Sequence, residues 1–191
     1  MDVNLLPLLP ALQVLVAALV VTVRDLFIKD GEPRGILAFY SLIGLALAAA
    51  EVLLLLGGGQ ESAFNDSYML DRFALFFTMI FIIAAALTIL TSIHYVRQAG
   101  IREGEFYALI LFATMGMIVM AAANDLIVFF LGLETMSIAV YVLTGMWRAN
   151  GRSSEASMKY FIMGAFATGF LLYGIALIYG ATGSTNLTQI S

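Results

Sequence analysis

The sequence predicts an all-α, polytopic membrane protein with about six spanning helices. Three observations carry that expectation. Of 191 residues, 62% are hydrophobic and only 12% charged, whereas an ordinary soluble domain runs at about 25% charged. The mean hydropathy is +0.98. The apolar residues also fall in long blocks, each near the ~20 residues that a helix rising ~1.5 Å per residue needs to cross a ~30 Å hydrocarbon core.

The first block is predicted at about 5–23, with Pro7 and Pro10 in its opening turns. The chain begins Met1-Asp-Val-Asn without a basic leader region, so this block reads as a permanent span rather than a cleaved signal. The others are predicted at about 36–56, 73–93, 106–123, 126–147 and 156–179. Asn124-Asp125 joins the fourth and fifth tightly, and both residues suit a helix start. Gly57-Gly58-Gly59 is a short flexible connection. No Gly/Ser linker or low-complexity run divides the chain, so a single transmembrane domain, 1–191, is expected.

Basic residues give an expected orientation. Arg24, Lys29, Arg34, Arg97, Arg102, Arg148 and Arg152 fall in alternate loops on one side, with Lys159 just inside the sixth helix, against Arg72 alone on the other. By the positive-inside bias, the basic loops are expected in the cytoplasm. The N-terminus and the polar tail after Gly180 are then expected outside.

Composition also excludes. A net charge of −4 argues against a nucleic-acid partner. With no cysteine, the chain offers no disulfide, thiolate zinc site or cysteine-ligated cluster. The single histidine, His94, makes no haem or metal site unaided.

Ionisable groups within a span are costly and usually functional. Glu134 is the clearest, eight residues into the predicted fifth helix and so roughly 12 Å from its end. Ser137 and Tyr141, three and seven residues on, share its helical face as a possible polar path, and Arg148 continues the stripe. The stripe is polar only toward the basic loops, as a half-channel feeding a buried acid would be. The plainer alternative is a protonated glutamic acid that only bonds a neighbouring helix. Lys159 has two readings: an ion pair with Glu155 four residues earlier, its stem snorkelling to the headgroups, or a relay lysine facing the bundle. Glu51 sits near the outer end of the second helix. Ala165 and Gly169 form a small-xxx-small pair suited to close helix approach.

The later segments resemble a known family. They are Glu105-Phe-Tyr-Ala-Leu, Phe112-Ala-Thr-Met-Gly-Met, Ala123-Asn-Asp-Leu, Phe130-Leu-Gly-Leu-Glu, Tyr141-Val-Leu, Arg152-Ser-Ser-Glu-Ala-Ser-Met-Lys-Tyr-Phe, and the run from Gly164 to Thr185. Together they are similar to subunit N of bacterial NADH–quinone oxidoreductase, respiratory complex I. The likeness is dense from about 105 to 187 and looser before that.

The resemblance implies an antiporter-like, inverted-repeat fold in a proton-translocating membrane-arm subunit of the bacterial inner membrane. It implies an enzyme only in the sense of a subunit of that oxidoreductase. Glu134 and Lys159 match the family's relay glutamate and lysine. No cofactor is expected in this chain; NAD, FMN, iron–sulfur clusters and quinone are expected in partner subunits. The expected partners are neighbouring antiporter-like and small membrane subunits, and the lipid bilayer. Family members are much longer, so the resemblance implies an N-terminal portion lacking their later broken helices. An Mrp-type cation/proton antiporter subunit is the alternative function.

Overall fold

The computed structural model describes residues 5–28 and 34–191. Lys29, counted above among the basic-loop residues, lies outside them. A 3-10 turn, Leu6–Leu8, leads into α1, Leu9–Leu26. Then come α2, Gly35–Leu55; β1, Glu61–Ala63; β2, Tyr68–Leu70; α3, Arg72–Gln98; and α4, Glu103–Ala121. The chain continues with α5, Leu126–Thr144; α6, Gly151–Thr182; and a short α7, Leu187–Ile190. Six of these helices are long and apolar enough to cross a membrane. The fold is therefore the all-α polytopic one, with the backbone polar groups satisfied inside each span.

Helix ends are written in local chemistry. Pro7 and Pro10 occupy first-turn positions where a missing N–H costs nothing. Asp71 caps α3 by accepting from the Ala74 amide at 2.8 Å. Asp125 caps α5, accepting from the amides of Ile127 and Val128 at 2.8 and 3.3 Å. Gly183 ends α6 in the left-handed region, φ 73°, and its N–H donates to the Tyr179 carbonyl at 2.7 Å.

Several predicted boundaries move, for the same kind of reason. Asn150 accepts from the Arg152 amide at 3.0 Å, so α6 starts at Gly151 rather than near 156. α3 runs on to Gln98 rather than 93, until Gly100, φ 66°, turns the chain. α5 stops at Thr144 rather than 147, where Gly145 follows. Arg148 is thus in a loop and does not continue the Glu134 stripe.

α4 is the central helix, packed against α1, α2, α3 and α5. Tyr107, Leu111 and Ile118 of α4 share a core with Val14 and Ala18 of α1, Leu37 and Leu45 of α2, and Ile89 of α3, each 0–1% exposed. Lipid is as apolar as this core, so close packing rather than water exclusion holds the helices. The α4–α5 seam brings backbone against backbone. A Cβ on Gly132 would lie 2.8 Å from the Gly116 carbonyl oxygen, and one on Gly116 would lie 2.6 Å from the Met136 nitrogen. α6 is peripheral and packs against α5, with Ile175 its one buried residue. The predicted close-approach pair, Ala165 and Gly169, is exposed, and nothing lies within 4 Å of a Cβ placed on Gly169. α5 meets α6 at Gly164 instead.

The two ends of the bundle differ. At the basic-loop end, Arg34 pairs with Asp25 at 3.3 Å, Arg97 with Glu103 at 3.4 Å, and Arg102 and Arg148 with Glu105 at 3.0 and 3.6 Å. At the opposite end the β1–β2 hairpin, which sequence reading missed, turns through Phe64, Asn65 and Asp66, all at positive φ. It is bonded to the α4–α5 turn through Met69 N–H to the Ala122 carbonyl, 2.7 Å, and Asn124 N–H to the Ser67 carbonyl, 2.9 Å. The segment after α6 closes on the same turn. Leu126 N–H donates to the Thr185 carbonyl, Leu187 N–H to the Asn124 carbonyl, and the Thr185 hydroxyl to Asp125 Oδ2 at 2.6 Å.

Candidate functional site

The Asp125 cap fixes where α5 begins and therefore the depth of Glu134, about 12 Å along the helix at ~1.5 Å per residue. Gly132 and Met136 form the seam with α4. By helical period, Glu134, Ser137 and Tyr141 lie on the other side of α5. Glu134 is half-buried, and its Oε1 is buried with no hydrogen-bond partner. Ser137 and Tyr141 are each 8% exposed. The structure thus gathers three of the four predicted residues on one face.

Tyr141 is the point where that face meets α6. Its hydroxyl lies over Gly164, so closely that a Cβ there would fall 1.8 Å from the oxygen. Its ring stands edge-on to Tyr160 and Phe161, with centroids 4.9 and 5.8 Å away. Near the end of α5 some carbonyls lose their helical donors. Two serines of α6 supply donors: the Ser157 hydroxyl bonds the Tyr141 carbonyl at 2.8 Å, and the Ser153 hydroxyl bonds the Thr144 carbonyl at 2.6 Å. A cavity of about 340 Å³ opens beside this junction, lined by Tyr141, Gly145, Ser154, Ser157, Met158 and Phe161 among others. Its polar groups are hydroxyls and backbone atoms, which suit water or a passing proton better than a metal.

Lys159 stands apart. α6 begins earlier than predicted, so Lys159 is its ninth residue, about 12 Å from the start. Its ammonium pairs with Glu155 at 2.5 Å, both side chains mostly exposed, on the flank of α6 away from Ser153, Ser157 and Gly164. The structure does not bring it to Glu134. Glu51 Oε2, in α2, is a second buried carboxylate oxygen without a partner. His94 is exposed, its Nε2 2.9 Å from Gln98 Nε2.

Sequence reading missed the Ser153 and Ser157 bonds, for which Asn150 as a helix cap was the available signal. It also missed Glu103, because the fourth helix was expected to begin only at 106, and did not single out Tyr107 one turn on. Among the described residues no cluster of three or more His, Asp or Glu side chains fits a metal ion.

Known proteins share this architecture. Residues 123–191 match the family described as NADH:quinone oxidoreductase/Mrp antiporter, transmembrane. Subunit N of the NADH-quinone oxidoreductase of Trichlorobacter lovleyi is 46% identical over 189 residues, 99% of this chain and 38% of that protein. The subunit N of Chloroflexus aggregans is 47% identical over 189 residues, 98% of this chain and 38% of that protein. The chain therefore spans about 38% of the length of these curated relatives. Among solved structures, respiratory complex I from Thermus thermophilus with bound aureothin superposes with a TM-score of 0.73 at 35% identity, covering 91% of this chain and 38% of that one. The membrane-bound sulfane sulfur reductase, an archaeal respiratory membrane complex, gives 0.80 at 25% identity, covering 96% and 39%.

Proposed function

Because the chain belongs to the subunit N family of NADH-quinone oxidoreductases, we propose that it forms part of a proton-translocating subunit in the membrane arm of such a complex. The observation that carries the proposal is the orphaned Glu134 Oε1, buried in a span on one face with Ser137 and Tyr141. A carboxyl so placed changes protonation with the charge around it. A positive group brought near favours the carboxylate and releases the proton; its withdrawal favours the neutral acid. Ser137 and the Tyr141 hydroxyl then serve as stations between Glu134 and the basic-loop end, with the cavity beside Ser157 at its mouth. Lys159, held by Glu155 on the flank of α6 away from α5, is a separate charge of this scheme and not the one that acts on Glu134.

The basic-loop end faces the cytoplasm of a bacterial inner membrane in this reading, as the charge bias supports. NAD, FMN, iron–sulfur clusters and quinone belong to partner subunits, and the neighbours in the membrane are antiporter-like and small membrane subunits. Redox steps in those partners supply the charge displacement. The test is Glu134→Gln in the assembled complex, followed by proton pumping and electron transfer in sealed vesicles. The expected result is a complex that assembles and pumps poorly. Normal pumping would sink the proposal.

A second reading follows from the breadth of the matched family, which also covers Mrp antiporters. A subunit of that kind exchanges a cation for protons without any electron-transfer partner. Purification with flavin and iron–sulfur subunits separates the two.

A further inference from the structure

A second polar site lies where α1 packs on the opening turns of α4. The Asp25 carboxyl rests on the Gly104 backbone so closely that a Cβ there would come within 2.2 Å of its Cγ. Glu103, 8% exposed, and Tyr107, fully buried, flank that contact one helical turn apart. Glu103 Oε2 and the Tyr107 hydroxyl are buried without a hydrogen-bond partner, and Asp25 Oδ1 has only its ion pair with Arg34. Buried polar atoms in native proteins are satisfied, and where side chains do not do it bound water does.

Among the described residues, the charges that face this site come from α3 and the start of α2. Arg97 of α3 reaches Glu103 Oε1, and Arg34 at the start of α2 reaches Asp25 of α1. Arg102 and Arg148 are taken up by Glu105 on the other side of the α4 terminus. Among the described residues Arg97 and Arg34 offset Glu103 and Asp25, and no acidic cluster there fits a metal ion. What the remaining acceptors and the phenol fit is water and the proton it carries. Fully buried Leu111, one turn beyond Tyr107, closes the site toward the middle of the membrane. The site therefore lies toward the basic-loop end and is separate from the Glu134 face of α5.

We propose that Asp25, Glu103 and Tyr107 form a second, water-filled proton-binding site loaded from the basic-loop end. In loading, a hydronium gives its proton to Glu103 Oε2 and becomes water. The new O–H is returned to water in the reverse step, and no electrons move. The inference does not depend on the transport reading, and its test does not measure transport.

Radiolytic hydroxyl labelling in native membranes reads bound water directly, since water held beside a side chain labels it even when bulk solvent cannot reach it. Normalised to the intrinsic radical reactivity of each side chain, Tyr107 should be labelled well above Leu111, equally buried one turn deeper. Normalised labelling no higher than that of Leu111 would overturn the water site. Infrared difference spectra on acidification read the proton. A carboxylic-acid C=O band should appear in the parent and be lost in Glu103→Gln. A band that Glu103→Gln keeps unchanged, or that the parent lacks, would overturn proton binding. Tyr107→Phe should shift the remaining carboxylic band.

Discussion

The Tyr141 hydroxyl and Gly164 occupy one another's space: an added Cβ on the glycine would lie 1.8 Å from the oxygen and 2.5 Å from the ring carbon bearing it. This contact sets the distance between α5 and the otherwise exposed α6. Gly164→Ala should force the two helices apart. Overpacking of this kind costs about 1–3 kcal/mol, so a lower midpoint of thermal unfolding is expected in detergent or lipid nanodiscs.

Tyr141→Phe separates packing from chemistry at the same place. The ring keeps its edge-on contacts with Tyr160 and Phe161, so the complex should assemble at parental levels. Proton transport should fall if the hydroxyl is a station on the path. Unchanged transport would remove Tyr141 from it.

Ser157→Ala withdraws the donor from the Tyr141 carbonyl. An interhelical bond of this type is worth about 0.6 kcal/mol in a membrane bundle. A small loss of stability is expected, and a much larger one would mean that the serine also organises the adjoining cavity.

Lys159→Gln should barely change stability. The pair with Glu155 is mostly exposed, and such pairs contribute about 0–1 kcal/mol. A loss of proton transport in this variant, with an unfolding midpoint like the parent's, therefore belongs to the charge. Parental transport would leave Lys159 a structural partner of Glu155.

Tyr68, 3% exposed in the hairpin, predicts alkaline behaviour. Burial pushes its phenol well above the ordinary tyrosine value, which is about 10 in an unfolded chain. Above that pH the unfolded state gives up a proton that the folded state keeps, so folding loses stability as pH rises. Below about pH 10 the contribution is fully present. Tyr68→Phe has no proton to lose and should move the alkaline unfolding limit upward, as circular dichroism during a base titration would show.

The six spans and the Glu134 face were legible because hydropathy and the 3.6-residue period act within one segment. Asp125 was legible for the same reason, as a cap beside its own helix. The partners of those residues were not. Lys159 reads alike whether its flank meets a helix or lipid, and only the placement of Ser153, Ser157 and Gly164 against α5 shows which side it takes. Glu103 looked like a loop acid because the apolar block starts three residues later, yet α4 carries it into the packing with α1. The β1–β2 hairpin was hidden for another reason. Its strands are three residues each, too short for an alternating pattern, and are held by bonds to the α4–α5 turn.

Asn186 reaches back to the carbonyl of Asp66 across 120 positions of sequence. Such long-range closures are slow to form and come after local structure. The hairpin and the α4–α5 turn emerge first from the ribosome, but their shared fastening arrives only once α6 has crossed. A nascent chain halted between α5 and α6 would therefore display an unfinished face at the hairpin end, with Asn124 and Asp125 lacking the partners that Thr185 and Leu187 provide. Completion of that face therefore marks the arrival of α6.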